Sequence, residues 1–328
     1  MVGKVNELPV DPAAVFAAGK LLALPTETVY GLAAPIDRLD LVARVFELKG
    51  RPSTNPLIVH VGSLNQARAC VREWPALAQR LAERFWPGPL TLVLPKADDV
   101  SELITAGQPT VALRMPDHPI ALALLKASPA PLVAPSANLF TRLSPTRAED
   151  VRAVFDPADV EVVDGGPCRV GIESTIIALD PVRRSLTWLR PGLISQDEIR
   201  AELPADWQWA QPTASPETAS QQAPGQMREH YRPAKPLTVV VSRRPPEAVF
   251  SATDRSGQRW ALVTLATDPT LAARQLYAAL REAGQTSSDR LGLVLPPENL
   301  ADPAWEGIVN RLRKAASEWR EEARPDYA

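Results

Sequence analysis

Between residues 9 and 200, short apolar runs alternate with stretches of helical spacing, and that alternation commits the region to an α/β fold. Leu21–Leu24, Leu57–Val61, Val111–Leu113 and the apolar residues ending at Val133 read as strands, as does Ile176–Ile177. Asp40–Leu48 places Leu41, Val45 and Leu48 at helical intervals, while Thr146 to Glu149 and Ser195 to Glu198 read as capping boxes that open helices. From Pro204 to about Pro236 the composition turns polar, Pro-bearing and aperiodic, as in a linker. Regular patterns return over 237–328 as a second, smaller α/β unit. Its strands are Leu237–Val241, Trp260–Val263 and Leu291–Leu295. One helix spans about 270–283, with Leu271, Leu276 and Leu280 on its apolar side, and another lies around 304–319. The charge-rich tail Glu318 to Asp326 reads as a solvated helix end, and Trp207 and Trp209 as packing the linker onto a domain.

Bulk properties narrow the function. At 328 residues and 45 % hydrophobic content, two domains with their own cores are expected. A net charge of −2 disfavours a protein that coats nucleic acid or an anionic membrane. Two cysteines, Cys70 and Cys168, exclude a disulfide scaffold and read as inert thiols, and the three histidines show no zinc spacing. With no signal-like apolar core near Met1 and no run near the roughly 18 apolar residues of a membrane helix, a cytoplasmic protein without membrane partners is expected.

Four loop segments carry the chemistry. Leu48 to Val59 sets Lys49 and Arg51 between helix and strand, in a turn stiffened by Pro52 and Pro56. Such a restrained surface turn suits an anionic ligand, because Lys offers a compact ammonium and Arg a planar fork. Pro25 to Gly31 is a strand breaking into a loop with Thr26, Thr28 and Tyr30. Ligands of open α/β sheets gather at the carboxyl ends of strands. Ala134 to Asn138 repeats that design, and Gly171 to Thr175 places polar residues ahead of another strand. Taken singly each is weak; together they suggest one composite site.

The same residues carry a family resemblance. Pro-Thr-Glu-Thr-Val-Tyr-Gly at 25–31, Lys-Gly-Arg-Pro-x-x-Asn-Pro-Leu at 49–57 and Val-Ala-Leu-Arg-Met-Pro at 111–116 resemble the YrdC/Sua5 family of threonylcarbamoyl-AMP synthases. Ser136-x-Asn138, Gly-Ile-Glu-Ser-Thr at 171–175 and Leu-Arg-Pro-Gly at 189–192 fit as well, in family order. Pro224, Gly225, His230, Tyr231 and Pro233 resemble the linker signature of the long, Sua5-type branch, a segment that in the family folds over the catalytic cleft. One departure stands out: after Asn138 the family usually continues Leu-Ser-Gly, and this chain has Leu139-Phe140-Thr141.

The resemblance implies a catalytic domain over 9–200 built on a twisted open mixed sheet, a linker or lid over 204–236, and a Rossmann-like Sua5 domain over 237–328. It implies a reaction in which L-threonine, bicarbonate (or CO2) and ATP give threonylcarbamoyl-AMP and pyrophosphate. That is the first step of t6A formation in tRNA, with Mg2+ arriving on ATP and a tRNA threonylcarbamoyl transferase machinery downstream. It assigns Lys49 and Arg51 to catalysis. Thr28, His60, Arg114, Ser174 and the backbone of Ala134 fall to L-threonine. Arg51, Asn55, Thr110, Ser136, Asn138, Ser144, Arg190 and Tyr231 fall to ATP. Read without the family, His60 is an ordinary core histidine and Arg190 a surface cation before a turn. The competing class is a tRNA or double-stranded RNA-binding module, with Lys49, Arg51, Arg114 and Arg190 lining a basic groove. The Thr, Ser and Asn residues at the same loop ends suit a small ligand better.

Overall fold

Leu21–Leu24 is buried at all four positions, the mark of a strand covered on both faces. It forms β1 in a computed structural model that describes residues 8–210, Pro224, 230–250 and 257–322. The chain divides into two units, Met1–Phe140 with Ser144–Gln226 and Thr141–Leu143 with Met227–Ala328.

In the first unit β1 is followed by β2 (Gly31–Pro35), β3 (Ile58–His60), β4 (Leu90–Pro95), β5 (Thr110–Arg114) and β6 (Leu132–Val133). Then come β7 (Val160–Val162), β8 (Thr175–Asp180), β9 (Ser185–Arg190) and β10 (Gln208–Ala210). They make one ten-stranded sheet in the order β10-β9-β8-β4-β5-β3-β6-β2-β1-β7. The sheet is mixed, as expected: β3 and β5 run parallel with His60 opposite Arg114, whereas β4 and β5 run antiparallel. β10 pairs with β9, so the segment read as linker from Pro204 first contributes an edge strand. Trp209 stacks on Trp188 there, at 5.9 Å between ring centroids. With three residues Gln208–Ala210 is too short to show a period, and the strand is specified by its neighbour.

The helix Leu39–Lys49 turns Leu41, Val42, Val45 and Phe46 inward. It stops at Gly50, whose φ of 59° is a left-handed conformation that glycine adopts without a Cβ penalty. Gly50 N donates to Glu47 O and Arg51 N to Phe46 O, the paired bonds of a Schellman ending. The helix Gln196–Ala201 opens on the expected box, with the Glu198 carboxylate accepting from Ser195 N. The other box is shifted by one residue. The helix is Ala148–Arg152, and Asp150 rather than Glu149 reaches back to Thr146 N and Arg147 N.

The second unit holds β11 (Leu237–Val241), β12 (Trp260–Val263), β13 (Arg290–Leu295) and β14 (Glu318–Glu321), all parallel, in the order β12-β13-β11-β14. Two sequence expectations need correction. The charged tail is not a helix end: Glu318–Glu321 is an edge strand on β11, where the Thr238 hydroxyl donates to Glu318 Oε2 and Arg290 approaches the same oxygen. Its remaining residues, 323–328, lie outside the described ones. In the helix Pro269–Gly284 the buried side is Ala272, Ala273, Leu276, Tyr277, Leu280 and Ala283, while Leu271 is exposed. Five residues advance a helix by about 500°, which puts Leu271 off the stripe of Leu276. Among the described residues no helix is long and apolar enough to cross a membrane.

Candidate active site

The polar loops of the first unit are tied to one another by their backbones. Val170 N donates to Glu27 O and Gly171 N to Thr28 O. Tyr30 N donates to Pro145 O, Ala137 N to Tyr30 O and Cys168 N to Thr146 O. The Tyr30 hydroxyl bonds Gly166 O and accepts from Gly165 N. These bonds bring residues 25–31, 134–138, 144–146 and 165–175 into one assembly, which contains three of the four loop segments singled out in the sequence. Within the first loop Thr26 Oγ1 accepts from Thr28 N and Val29 N and donates to Val29 O, so its turn is set locally.

Arg114 lies at the middle of one cluster. It is 4 % exposed, at the end of β5. Its Nη1 donates to Thr28 Oγ1 at 2.8 Å and its Nε to Gly88 O at 3.2 Å, while Nη2 lies 2.6 Å from Glu27 Oε1. His60 faces it from β3, and its Nδ1 lies 3.4 Å from Ile58 O. Burial first, and then the Arg114 charge, push the His60 pKa down to about 3, so its imidazole is neutral at pH 7. Ser174 Oγ bonds Thr91 Oγ1 at 2.7 Å and accepts from Arg190 Nη2 at 3.1 Å. Arg190 also donates to Ser174 O and Pro224 O. Gly192, two residues on, is forced by space: a Cβ there would lie 2.4 Å from Thr175 N. Ala134 carries on from β6, donates its N–H to Ile58 O and is buried, its carbonyl next to Pro135.

The two cations of the Lys-Gly-Arg run are not on a surface turn. Lys49 ends its helix on the buried face, 2 % exposed, and its Nζ donates to Ser136 O at 2.5 Å and Asn138 O at 2.6 Å. Phe140 N returns a bond to Lys49 O. Lys49 therefore braces the Ser136–Asn138 loop. Burial first, and then the neighbouring Arg51 charge, hold its pKa well below the ordinary lysine range. Arg51, 8 % exposed, donates from Nη2 to Asn55 Oδ1 at 2.6 Å and to Pro56 O at 2.8 Å, and from Nε to Asn55 O. The surface-turn expectation failed because a helical period of three apolar positions does not show that a fourth, cationic one follows them inward. The four cations of the suggested RNA groove are all buried and donate to protein acceptors, so no open basic groove forms from them.

The remaining expected residues divide between the units. Ser144 Oγ donates to Glu173 Oε1 at 2.5 Å, and Asn138 Nδ2 to Leu139 O. Thr110 opens β5, four positions before Arg114, opposite Pro95. Tyr231 belongs to the second unit, where its ring stacks on Tyr277 at 5.6 Å and lies under the Arg311 guanidinium and beside His230. Gly225 to Glu229, the middle of the expected lid phrase, lie outside the described residues. Sequence reasoning passed over Glu27, Thr91 and Glu173 as site residues. Glu27 and Glu173 lie inside the quoted motifs, and a carboxylate in an apolar neighbourhood was the available signal. Both cysteines are buried, and burial pushes the Cys70 thiol up to about 11, which leaves it unreactive. Among the described residues no group of three or more His, Cys, Asp or Glu side chains is placed to hold a metal ion.

Known proteins align with this chain along nearly its whole length. A family profile described as "Telomere recombination", that of Sua5, YciO and YrdC, matches residues 14–192. A second, described as the threonylcarbamoyl-AMP synthase C-terminal domain, matches residues 194–317. The threonylcarbamoyl-AMP synthase of Pyrococcus abyssi is 38 % identical over 337 residues, covering 95 % of each chain. That of Bacillus subtilis is 37 % identical over 330 residues, covering 93 % of this chain and 91 % of its own. The crystal structure of Pyrococcus abyssi Sua5 complexed with L-threonine superposes with a TM-score of 0.84 at 36 % identity, covering 96 % of this chain and 97 % of that one.

Proposed function

The chain belongs to the Sua5–YciO–YrdC family in its long, two-domain form, and we propose that it is an L-threonylcarbamoyl-AMP synthase whose buried Arg114 cluster receives L-threonine. The threonine nitrogen bonds to the carbon of CO2 with loss of a proton, or of bicarbonate with loss of water, giving N-carboxy-threonine. An oxygen of that new N-carboxylate then attacks the α-phosphorus of ATP as the bond to pyrophosphate breaks. The observation that carries this reading is the Arg114 cluster itself. A guanidinium, a threonine hydroxyl and a neutral imidazole meet in a chain that aligns end to end with a threonine-bound relative. Arg114 suits the amino-acid carboxylate, because its hydrogen bonds to Gly88 and Thr28 use two of five donors and hold the fork in place. Thr28 and Ser174 supply hydroxyls of either polarity, and neutral His60 adds a polar contact without a second charge.

For adenylyl transfer the useful protein groups are preorganised ones, since charge grows on the phosphates in the transition state. Arg51, clamped by Asn55 and Pro56, is such a group, and Lys49 contributes by holding the Ser136–Asn138 loop in its nucleotide-receiving shape. Ser144 and Arg190 complete the nucleotide side. ATP enters as its Mg2+ complex, with the ion carried by the phosphates, as is usual for Mg2+. The product is a mixed anhydride, consumed by a transferase that moves the threonylcarbamoyl group to tRNA.

Pyrophosphate release tests the assignment. Omitting ATP, L-threonine or bicarbonate one at a time should each abolish it, whereas release that persists without threonine or bicarbonate would contradict the reaction. Selectivity gives an independent check. Serine keeps the hydroxyl and loses a methyl, so its kcat/KM should fall by only about 10- to 200-fold. Alanine and valine lack the hydroxyl and should fall further, and equal use of all four would defeat the threonine assignment.

A further inference from the structure

We infer that Glu27 is a positioning residue for L-threonine, the counter-charge that sets the Arg114 guanidinium for an incoming carboxylate; this deepens, and rests on, the activity proposed above. Glu27 is 1 % exposed and, among the described residues, is the ion-pair partner of Arg114. The groups that accept from Arg114, the Thr28 hydroxyl and the Gly88 carbonyl, carry no charge, and its register partner on β3, His60, is neutral.

The form of the contact is informative. Glu27 Oε1 and Arg114 Nη2 are 2.6 Å apart, yet neither Glu27 oxygen and not Nη2 has a hydrogen-bond partner among the described residues. The N–H vectors of Nη2 thus point out of line with the carboxylate. The pair is electrostatic and not the parallel fork that makes Arg–carboxylate pairs strong. A buried ion pair with such poor hydrogen bonding is a weak stabiliser, and apolar replacements of such pairs are often neutral or better for stability. Fold stability is therefore a poor account of why a carboxylate is buried here.

Positioning is a better one. Glu27 is placed by its backbone, with its carbonyl bonded by Val170 N and the next residue's by Gly171 N, inside a turn that Thr26 closes. That arrangement aims the carboxylate at one side of Arg114 and leaves the Nη2 N–H groups uncommitted. A buried cation balanced in this way can receive a net-neutral amino acid, carboxylate toward Nη2, without the cluster acquiring an unbalanced charge. Among the described residues no other carboxylate pairs with Arg114, so without Glu27 the guanidinium charge on the Nη2 side would have no counter-charge.

Calorimetric titration of the full chain with L-threonine and, separately, with ATP decides the matter, alongside a thermal melt. Glu27→Gln keeps the shape and removes the charge. It should raise the threonine Kd at least tenfold and leave the ATP Kd within twofold of wild type. Glu27→Asp keeps the charge but withdraws it by one methylene; it should give an intermediate threonine loss, again sparing ATP, and it carries the test if the Gln variant does not fold. Wild-type threonine affinity in either folded variant would overturn the inference, as would equal weakening of both ligands, the signature of a merely structural residue. A wild-type chain that binds neither ligand would remove the activity reading as well, so the two failures are told apart.

Discussion

A histidine buried in a strand beside a guanidinium cannot keep its proton at neutral pH, and His60 makes that measurable. Its folded pKa of about 3 lies below the ordinary 6.5, so between those values the unfolded chain binds a proton that the folded chain does not. Stability from this group is complete above about pH 6.5 and is lost as pH falls toward 3. At about 1.4 kcal/mol per pH unit, wild type should lose about 2 kcal/mol more than His60→Gln between pH 7 and pH 5, as read by urea unfolding. Parallel curves for the two proteins would contradict the burial-driven shift. Thr141 offers a second residue-scale test. The family usually has glycine there, and Thr141 takes a φ of 66°, a left-handed conformation that costs an L-residue about 1–2 kcal/mol. The departure seen in sequence is thus carried with the backbone conformation that suits glycine, and the strain falls on the threonine. Thr141→Gly should raise the unfolding free energy by about 1 kcal/mol in a denaturant titration, and a destabilised variant would show that the Thr side chain itself contributes.

At the scale of elements, the helix Leu39–Lys49 is the part that most changes how its motif is understood. Lys49 binds two carbonyls of a distant loop, so Lys49→Met should cost about 1–3 kcal/mol of stability by stranding both acceptors, and should weaken ATP binding. Arg51→Met should cost activity more than stability; unfolding data that rank the two the other way would contradict the brace. The apolar runs were legible: Leu21–Leu24 and Leu237–Val241 are strands as read, the strand read at Leu291–Leu295 begins one residue earlier at Arg290, and Gly50 ends the helix where the Lys-Gly-Arg run begins. Strands without such a run were not. Gln208–Ala210 and Glu318–Glu321 become strands because β9 and β11 offer them a free edge, and Glu318 finds Thr238 from 80 positions away. Charge on an edge strand is common and blunts further pairing, which is why the tail misled a reading based on local polarity. The site was legible as a set of loop motifs, but its partnerships were not. Arg114 with Glu27, and Ser144 with Glu173, are long-range or cross-motif pairs that spacing cannot show.

At the scale of the whole molecule, ten strands and a net of loop-to-loop hydrogen bonds place the buried Arg114 cluster and two clamped cations in one unit, in a chain that aligns with a threonylcarbamoyl-AMP synthase across 95 % of its length. The burial of Lys49, Arg51, Arg114 and Arg190 predicts small-ligand chemistry and little salt-sensitive RNA affinity. In a filter-binding titration, tRNA affinity that falls steeply between 50 and 200 mM salt (on the order of 10³-fold) would signal a polyphosphate interface that these four residues do not provide. The central claim is that the carbon joining threonine to AMP comes from bicarbonate. Mass spectrometry of the adenylate formed from ATP, L-threonine and 13C-bicarbonate tests it most directly. The account predicts a threonylcarbamoyl-AMP adduct carrying the 13C label, one mass unit heavier than with unlabelled bicarbonate; an unlabelled threonyl-adenylate, or no adduct at all, would contradict it.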